Sequence, residues 1–206
     1  MVTEDVNPAL LLIVSGPAGS GKTTLCNTLQ QALDPTLQRV ITATTRPPRE
    51  GEKNGVDYHF FDEDSFETRV KSGAFYEWAK VHDHRYGTLK SEIQGKLAQD
   101  IDLILSIDVQ GAAFYREAAK EDPDLAQRLV TIFIQPLNLE QLKYRLRQRG
   151  DDDEDEIARR MKSAEHEIEQ GQYFDHRIIS GSRDEDFTSL HSIYKAEKQR
   201  LRTKER

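Results

Sequence analysis

The sequence is short of cysteine, of net basic charge and of long apolar runs, and each shortage removes a class of protein. Its 206 residues include one cysteine, Cys26, which excludes an intrachain disulfide framework and a cysteine-based zinc site. A reducing, cytoplasmic compartment is the natural expectation. The 29 Lys and Arg residues are outnumbered by 36 Asp and Glu, leaving a net charge of −7. A nucleic-acid or membrane-surface binder would carry a net basic face, so neither partner is expected. The apolar stretch from Ala9 to Val14 falls far short of the ~20 residues a membrane span requires. Acidic Glu4 and Asp5 follow Met1 where a signal peptide would be basic, so none is expected. The six histidines lack metal-ligand spacing, and His82 and His84 read as part of a turn. No internal repeat or low-complexity linker interrupts a length that fits one domain with insertions.

What is present is an alternation of short apolar runs with helical patterns. Leu10 to Val14, Leu103 to Ile107 and Val130 to Ile134 read as buried strands. Each leads into a helical pattern: Leu25, Leu29 and Leu33 after the first, Ala112 to Lys120 after the second, and Leu139, Leu142 and Leu146 after the third. This is the signature of βαβ units and a mostly parallel sheet flanked by helices, an α/β fold. Between Val40 and Gln99 the texture changes, and the stretch reads as an insertion with a small sheet of its own. There Pro47-Pro48, Gly51 and Asn54-Gly55 break regular structure. The alternation of Val56, Tyr58 and Phe60 then suggests a half-buried strand, Ser65 to Ser72 a helix stopped by Gly73, and Phe75 to Trp78 another strand. Phe187, Leu190, Tyr194 and Leu201 recur at the spacing of an amphipathic closing helix.

Gly16-Pro17-Ala18-Gly19-Ser20-Gly21-Lys22-Thr23 fits the phosphate-loop pattern completely and lies between a buried strand and a helical pattern. The glycines let successive N–H groups converge on one anion beside a helix N-terminus. Lys22 is expected on the β- and γ-phosphates of a nucleoside triphosphate, Thr23 on Mg²⁺, and Thr24 beside them. This loop alone leaves kinase, GTPase and motor open. Further on, Arg46 and Arg49 flank the rigid Pro47-Pro48 pair, two planar forks suited to a phosphate dianion, with Tyr58 nearby as a neutral donor.

At this point the chain resembles the guanylate kinases over nearly its whole length. The resemblance rests on the phosphate loop and on Thr44-Thr45-Arg46-Pro47-Pro48-Arg49, Asn54-Gly55-Val56-Asp57-Tyr58, Phe75-Tyr76-Glu77-Trp78-Ala79, Arg85-Tyr86-Gly87-Thr88, Ile107-Asp108-Val109-Gln110-Gly111 and Arg145-Leu146-Arg147-Gln148-Arg149-Gly150, in that order. It implies transfer of a phosphoryl group from MgATP to GMP or dGMP, giving ADP and GDP. It also implies a phosphate-loop core (1–41, 97–135 and 161–206), a GMP-binding insertion (42–96) and a helical lid (136–160). In the implied site, Arg46, Arg49, Tyr58 and Tyr86 hold the GMP phosphate. Glu77 accepts from guanine N1–H and the 2-amino group, a donor pair that adenine lacks, and Trp78 and Phe75 suggest that its site is partly enclosed. Thr42 and Thr88 lie along the base edge, Thr42 standing where the family more often has Ser. Asp108 organises the metal-water shell and the acceptor, while Arg145, Arg149 and Arg160 close over the transferring group, where charge spreads in the transition state.

Two positions depart from the family: Ser106, where an acidic residue is usual, and Ser180, where Asn is usual near the adenine. The run from Asp151 to Glu156 reads as a solvated lid tip and helix N-terminus in preference to a metal site, and Cys26 as a packing residue. Two further readings stay open: a catalytically silent guanylate-kinase-like binding module, and a kinase of phosphorylated sugars. Sequence leaves the oligomeric state open between monomer and small homo-oligomer.

Overall fold

A strand can be apolar along its whole length only if both of its faces are covered, and the run from Ala9 to Val14 meets that condition. In the computed structural model, which describes residues 8–81, 83–149 and 153–204, β1 (Leu11–Ser15) is wholly buried. Leu10, Leu12 and Val14 point into one core layer; Ala9, Leu11 and Ile13 point into another.

From β1 the chain continues through α1 (Lys22–Leu33), β2 (Leu37–Arg39), β3 (Ala43–Thr44), β4 (His59–Phe60), α2 (Glu63–Lys71), β5 (Phe75–Val81) and β6 (His84–Leu89). Next come α3 (Lys90–Leu97), β7 (Asp102–Ser106), α4 (Val109–Glu121), α5 (Pro123–Arg128), β8 (Leu129–Pro136) and α6 (Leu139–Arg149). The rest comprises α7 (Glu154–Gln170), a 3₁₀ turn (Gly171–Tyr173), β9 (His176–Ser180) and α8 (Arg183–Lys204). The main sheet has the order β2-β7-β1-β8-β9, and every pairing in it is parallel. Leu25 and Leu29 of α1 and Leu190, Tyr194 and Leu201 of α8 cover one face. Ile93 and Leu97 of α3, Ala112 and Tyr115 of α4 and Leu125 of α5 cover the other. The second sheet, β4-β3-β6-β5, is mixed and has its own small core of Ala43, Phe66 and Phe75. The α/β class and the inserted sheet are therefore as the sequence implied.

The local signals held unevenly. Helix α2 forms where expected but starts two residues before Ser65 and ends one before Ser72; Asp62 caps its start and Gly73, at φ +67°, follows its C-cap. Strand β7 runs one residue earlier than expected. The strand expected through Val56, Tyr58 and Phe60 is reduced to His59–Phe60, because Val56 is 60% exposed in a turn. A turn closed by Val56 N–H to Lys53 O and Asp57 N–H to Lys53 O uses the backbone groups a strand would need. His84 opens β6 and is not part of a turn, while His82, Asp151 and Asp152 lie outside the described residues, as do residues 1–7. Asp153, Glu154, Asp155 and Glu156 form the capped, acidic start of α7, the favourable end of the helix dipole for acids.

One polar knot fastens these layers. Asp102, fully buried at the start of β7, accepts from the Leu10 N–H (2.7 Å), from Lys198 Nζ (2.8 Å) and from the Tyr194 hydroxyl (2.6 Å). Lys198 also donates to the Pro8 carbonyl (2.8 Å). Asp102→Ala would strand a buried ammonium and a buried N–H, so a loss of about 3–5 kcal/mol is expected in denaturant unfolding. An unchanged midpoint would show that the knot is not holding the core together.

Candidate active site

The C-terminal end of β1 delivers the chain into the phosphate loop, and backbone crowding there dictates glycine. Gly16 sits at φ +146°, and a Cβ on it would stand 2.4 Å from the Ile134 carbonyl oxygen of β8. Gly21, in the left-handed region at φ 92°, caps α1 without a side-chain bond, leaving the N-terminus of that helix facing the loop. Lys22 Nζ folds back onto the carbonyl oxygens of Gly16 (2.5 Å) and Pro17 (2.9 Å). Thr23 and Thr24 are exposed at the first turn of α1. Among the described residues, the buried Ser15 and Ser20 hydroxyls beside this cradle have no partner. Such a cradle, with a helix N-terminus, a lysine and uncommitted hydroxyls, fits a chain of phosphates. Cys26, one turn into α1, is packed in the core, and burial pushes its thiol up to about 12, so it is no nucleophile.

The inserted sheet carries a second cationic cluster. Arg46 lies over the Tyr58 ring (5.5 Å), whose centroid is 6.2 Å from that of Tyr86. The Arg46 guanidinium pairs with Glu52 at 2.8 Å, and the Glu52 carboxylate also accepts from the Arg49 N–H at 2.7 Å. These bonds hold the Glu52 carboxyl below its usual range. Glu52 thus supplies an anion on the arginines expected to hold a phosphate, a role that its place in the motif did not announce.

Glu77 on β5 and Thr88 on β6 form the third part. Thr88, fully buried, donates to Glu77 Oε1 at 2.6 Å. Gly87, beside it, brings the strands close enough that a Cβ would stand 2.8 Å from the Glu77 carbonyl oxygen. Burial raises the Glu77 carboxyl, the Thr88 bond lowers it, and the Asp108 charge raises it further. The enclosure does not come from Trp78, which is 41% exposed and faces away, contrary to the sequence expectation. Phe75 is buried as expected, and Tyr115 of α4, fully buried with its hydroxyl beside Thr88 and Glu77, completes the wall. The Tyr115 hydroxyl makes no well-formed hydrogen bond. Only its β-face neighbours reveal it, so sequence reading passed over it.

Asp108 connects these parts. It lies just beyond β7 and caps α4 by accepting from the Gly111 N–H at 2.7 Å. With Glu167, Arg159 and Lys162 of α7 it lines a cavity of about 520 Å³. Burial raises the Glu167 carboxyl, Lys22 lowers it and Asp108 raises it, so this carboxylate faces both the loop lysine and Asp108. Glu167 was not among the residues singled out by sequence. Arg160 pairs with Glu156 (3.1 Å), and it is Arg159 that lines the cavity with Asp108. Arg145 reaches the Ser180 hydroxyl (3.2 Å) and lines a cavity with Gly19–Gly21. The side chain of Arg149, at the end of α6, lies outside the described residues. A smaller cavity is lined by Thr23, Thr42, Tyr58, Cys26 and Ser106 and so joins the loop to the inserted sheet. The structure therefore brings together the loop with Arg145, Arg46 with Tyr58 and Tyr86, and Glu77 with Thr88.

Comparison with known proteins gives a consistent result. The family model described as guanylate kinase matches residues 9–197. A guanylate kinase of Hydrogenovibrio crunogenus is 43% identical over 189 residues, covering 92% of this chain and 88% of that protein. One from Caldanaerobacter subterraneus is 38% identical over 192 residues, covering 93% and 89%. Among solved structures, guanylate kinase from Anaplasma phagocytophilum superposes with a TM-score of 0.69 at 27% identity, covering 94% of this chain and 88% of that one. A gluconokinase from Sinorhizobium meliloti, 13% identical with a TM-score of 0.50 over 96% of this chain and 95% of its own, shares the fold alone.

The raised Glu77 carboxyl has a stability consequence of defined sign. A carboxyl that holds its proton more tightly folded than unfolded contributes fully below its ordinary value of 4.5, and the contribution is lost as pH rises through the folded value. Glu77→Gln keeps the acceptor for Thr88 and removes the buried charge. The variant is therefore expected to melt a few degrees higher than the parent at pH 8, with the difference shrinking below pH 4.5. A lower melting temperature at pH 8 would refute this.

Proposed function

The chain belongs to the guanylate kinase family, and from that premise we propose that it transfers the γ-phosphoryl group of ATP to GMP, or dGMP, giving ADP and GDP. The observation that carries the reading is the half-buried Glu77 carboxylate bonded to the buried Thr88 hydroxyl, within electrostatic reach of Asp108. Guanine presents N1–H and a 2-amino group side by side, which a buried carboxylate matches; adenine would leave that carboxylate without a pair of donors. Arg46, Arg49, Tyr58 and Tyr86 take the GMP phosphate, which displaces the Glu52 carboxylate from Arg46. Thr42 lies along the path from the base to Thr23.

On the donor side, the backbone from Gly16 to Thr24 cradles the ATP phosphates and Lys22 exchanges its carbonyl partners for phosphate oxygens. A phosphate oxygen of GMP attacks the γ-phosphorus in line, the bond to the β-phosphate oxygen breaks, and ADP leaves. Negative charge on the moving group is met by Lys22 and by Arg145, Arg149 and Arg160 brought in by the 136–160 segment as a lid. Mg²⁺, when bound with ATP, neutralises phosphate charge. The exposed Thr23 hydroxyl would hold the ion, with Asp108 nearby to accept from its hydration shell, an all-oxygen donor set of the kind this ion prefers. The described residues hold no group of three or more His, Cys, Asp or Glu that could hold a metal ion. The division into core (1–41, 97–135, 161–206), GMP-binding insertion (42–96) and lid (136–160) belongs to the same proposal. So does a cytoplasmic location among nucleotide pools. No helix of the described residues is long and apolar enough to cross a membrane.

The intact phosphate loop disfavours the binding-module reading, and the Glu77–Thr88 pair disfavours a phosphosugar acceptor. A nucleoside monophosphate panel with ATP and Mg²⁺, read as ADP release, is expected to give turnover with GMP and dGMP and little with AMP. Folded protein without GDP formation would overturn the proposal. Lys22→Met should lower kcat by about 10²–10³-fold. Glu77→Gln should cut kcat/KM for GMP by about 10²-fold and erode the preference over AMP; unaltered discrimination would remove Glu77 from base reading.

A further inference from the structure

Beside the phosphate loop a cavity of about 490 Å³ extends from Gly19–Gly21 past Leu25 to the start of α8. On the reading proposed above, it takes the donor nucleotide, phosphates on the loop and base toward Gly181–Phe187. The fixed polar groups at that end are already engaged. The Gly181 N–H donates to Asp186 Oδ1 (2.8 Å), and the buried Ser180 hydroxyl donates to Asp186 Oδ2 (3.0 Å) while accepting from Arg145 (3.2 Å). The Ser182 N–H (2.9 Å) and hydroxyl (2.7 Å) both donate to Glu185 Oε2.

Adenine differs from hypoxanthine along one edge. It offers an amino donor at position 6 and an acceptor at N1, where hypoxanthine offers an acceptor at O6 and a donor at N1. Rejecting one of them requires a donor fixed at N1, and the Gly181 and Ser182 N–H groups are bonded within the segment. What the rim presents instead is Arg183 and Asp184, one donor and one acceptor, both exposed. Adenine gives its amino hydrogen to Asp184 and accepts from Arg183; hypoxanthine accepts at O6 from Arg183 and gives N1–H to Asp184. Phe187 and Leu25 on the cavity wall contact a purine ring of either kind.

We propose that the phosphoryl-donor site is permissive among purines, so that ITP and GTP serve as donors alongside ATP while the acceptor site stays selective for guanine. The chemistry is unchanged: with ITP and GMP, the γ-phosphoryl group moves to a GMP phosphate oxygen, the β-phosphate oxygen keeps the electron pair of the broken bond, and IDP and GDP result. Weak contacts of this kind separate analogues by up to about 200-fold, whereas a buried site built around their hydrogen bonds separates them by about 10⁴-fold or more.

The test measures kcat/KM for ATP and for ITP with GMP saturating, resolving IDP and GDP by chromatography. A preference for ATP below about 100-fold is expected, and a larger one overturns the proposal. Absence of GDP with ATP itself would overturn the kinase reading, whereas turnover with ATP and a larger ITP deficit removes only the permissive donor. Calorimetric titration of Asp186→Ala with ADP and with IDP tests the cause. Releasing the Gly181 N–H and the Ser180 hydroxyl should raise the ADP-over-IDP affinity ratio at least about threefold, and an unchanged ratio in folded variant overturns the assignment. Should that variant not fold, the parent's donor panel decides alone.

Discussion

Strand β1 is buried on both faces, and the rest of the molecule is arranged to make that possible. Its two sets of side chains demand a helical layer on each side of the sheet, supplied by α1 and α8 on one face and by α3, α4 and α5 on the other. A strand held this firmly gives its C-terminal end a fixed position, so the loop beginning at Gly16 starts from a rigid support. The close approach of Gly16 to the Ile134 carbonyl makes the loop backbone part of the sheet packing. Anion binding and core packing therefore share the same few residues.

The second organising problem is charge. An acidic chain that binds two polyanionic nucleotides must gather its cations in a small volume, where they repel one another until the ligands arrive. In this structure four of the gathered cations have a provisional partner: carbonyl oxygens for Lys22, Glu52 for Arg46, Glu156 for Arg160 and the Ser180 hydroxyl for Arg145. These partners keep the side chains near their working positions at modest cost, because exposed or half-exposed pairs are worth little and are readily exchanged. The net charge of −7 is the ground for expecting no extended polyanion as partner, but it says nothing about mononucleotides; the placement of the cations does.

How much of this could be read beforehand depended on range. The parallel sheet, the phosphate loop and the closing helix were legible because apolar periodicity and a glycine-lysine pattern are local. Edge strands β2 and β9 were missed, being short and half-polar, and the Val56–Phe60 alternation misled because a turn had captured the same backbone donors. At the site, residues in contiguous motifs were found and those recruited through tertiary packing were not. Tyr115, Glu167 and Arg159 come from helices whose facing side chains no short pattern declares. Trp78 was misread because the composition of a strand does not say which of its faces is covered.

The bonds that Lys198 makes to Asp102 and to the Pro8 carbonyl have a meaning for biosynthesis as well as for stability. Residues 8 and 198 are far apart along the chain, and one face of the first core strand, with the Pro8 carbonyl, stays uncovered until α8 docks. Vectorial synthesis therefore cannot complete the nucleotide-binding core while α8 is still within the ribosomal tunnel. The phosphate loop is translated early, but the sheet that supports it is covered on one face only once α8 has emerged and docked.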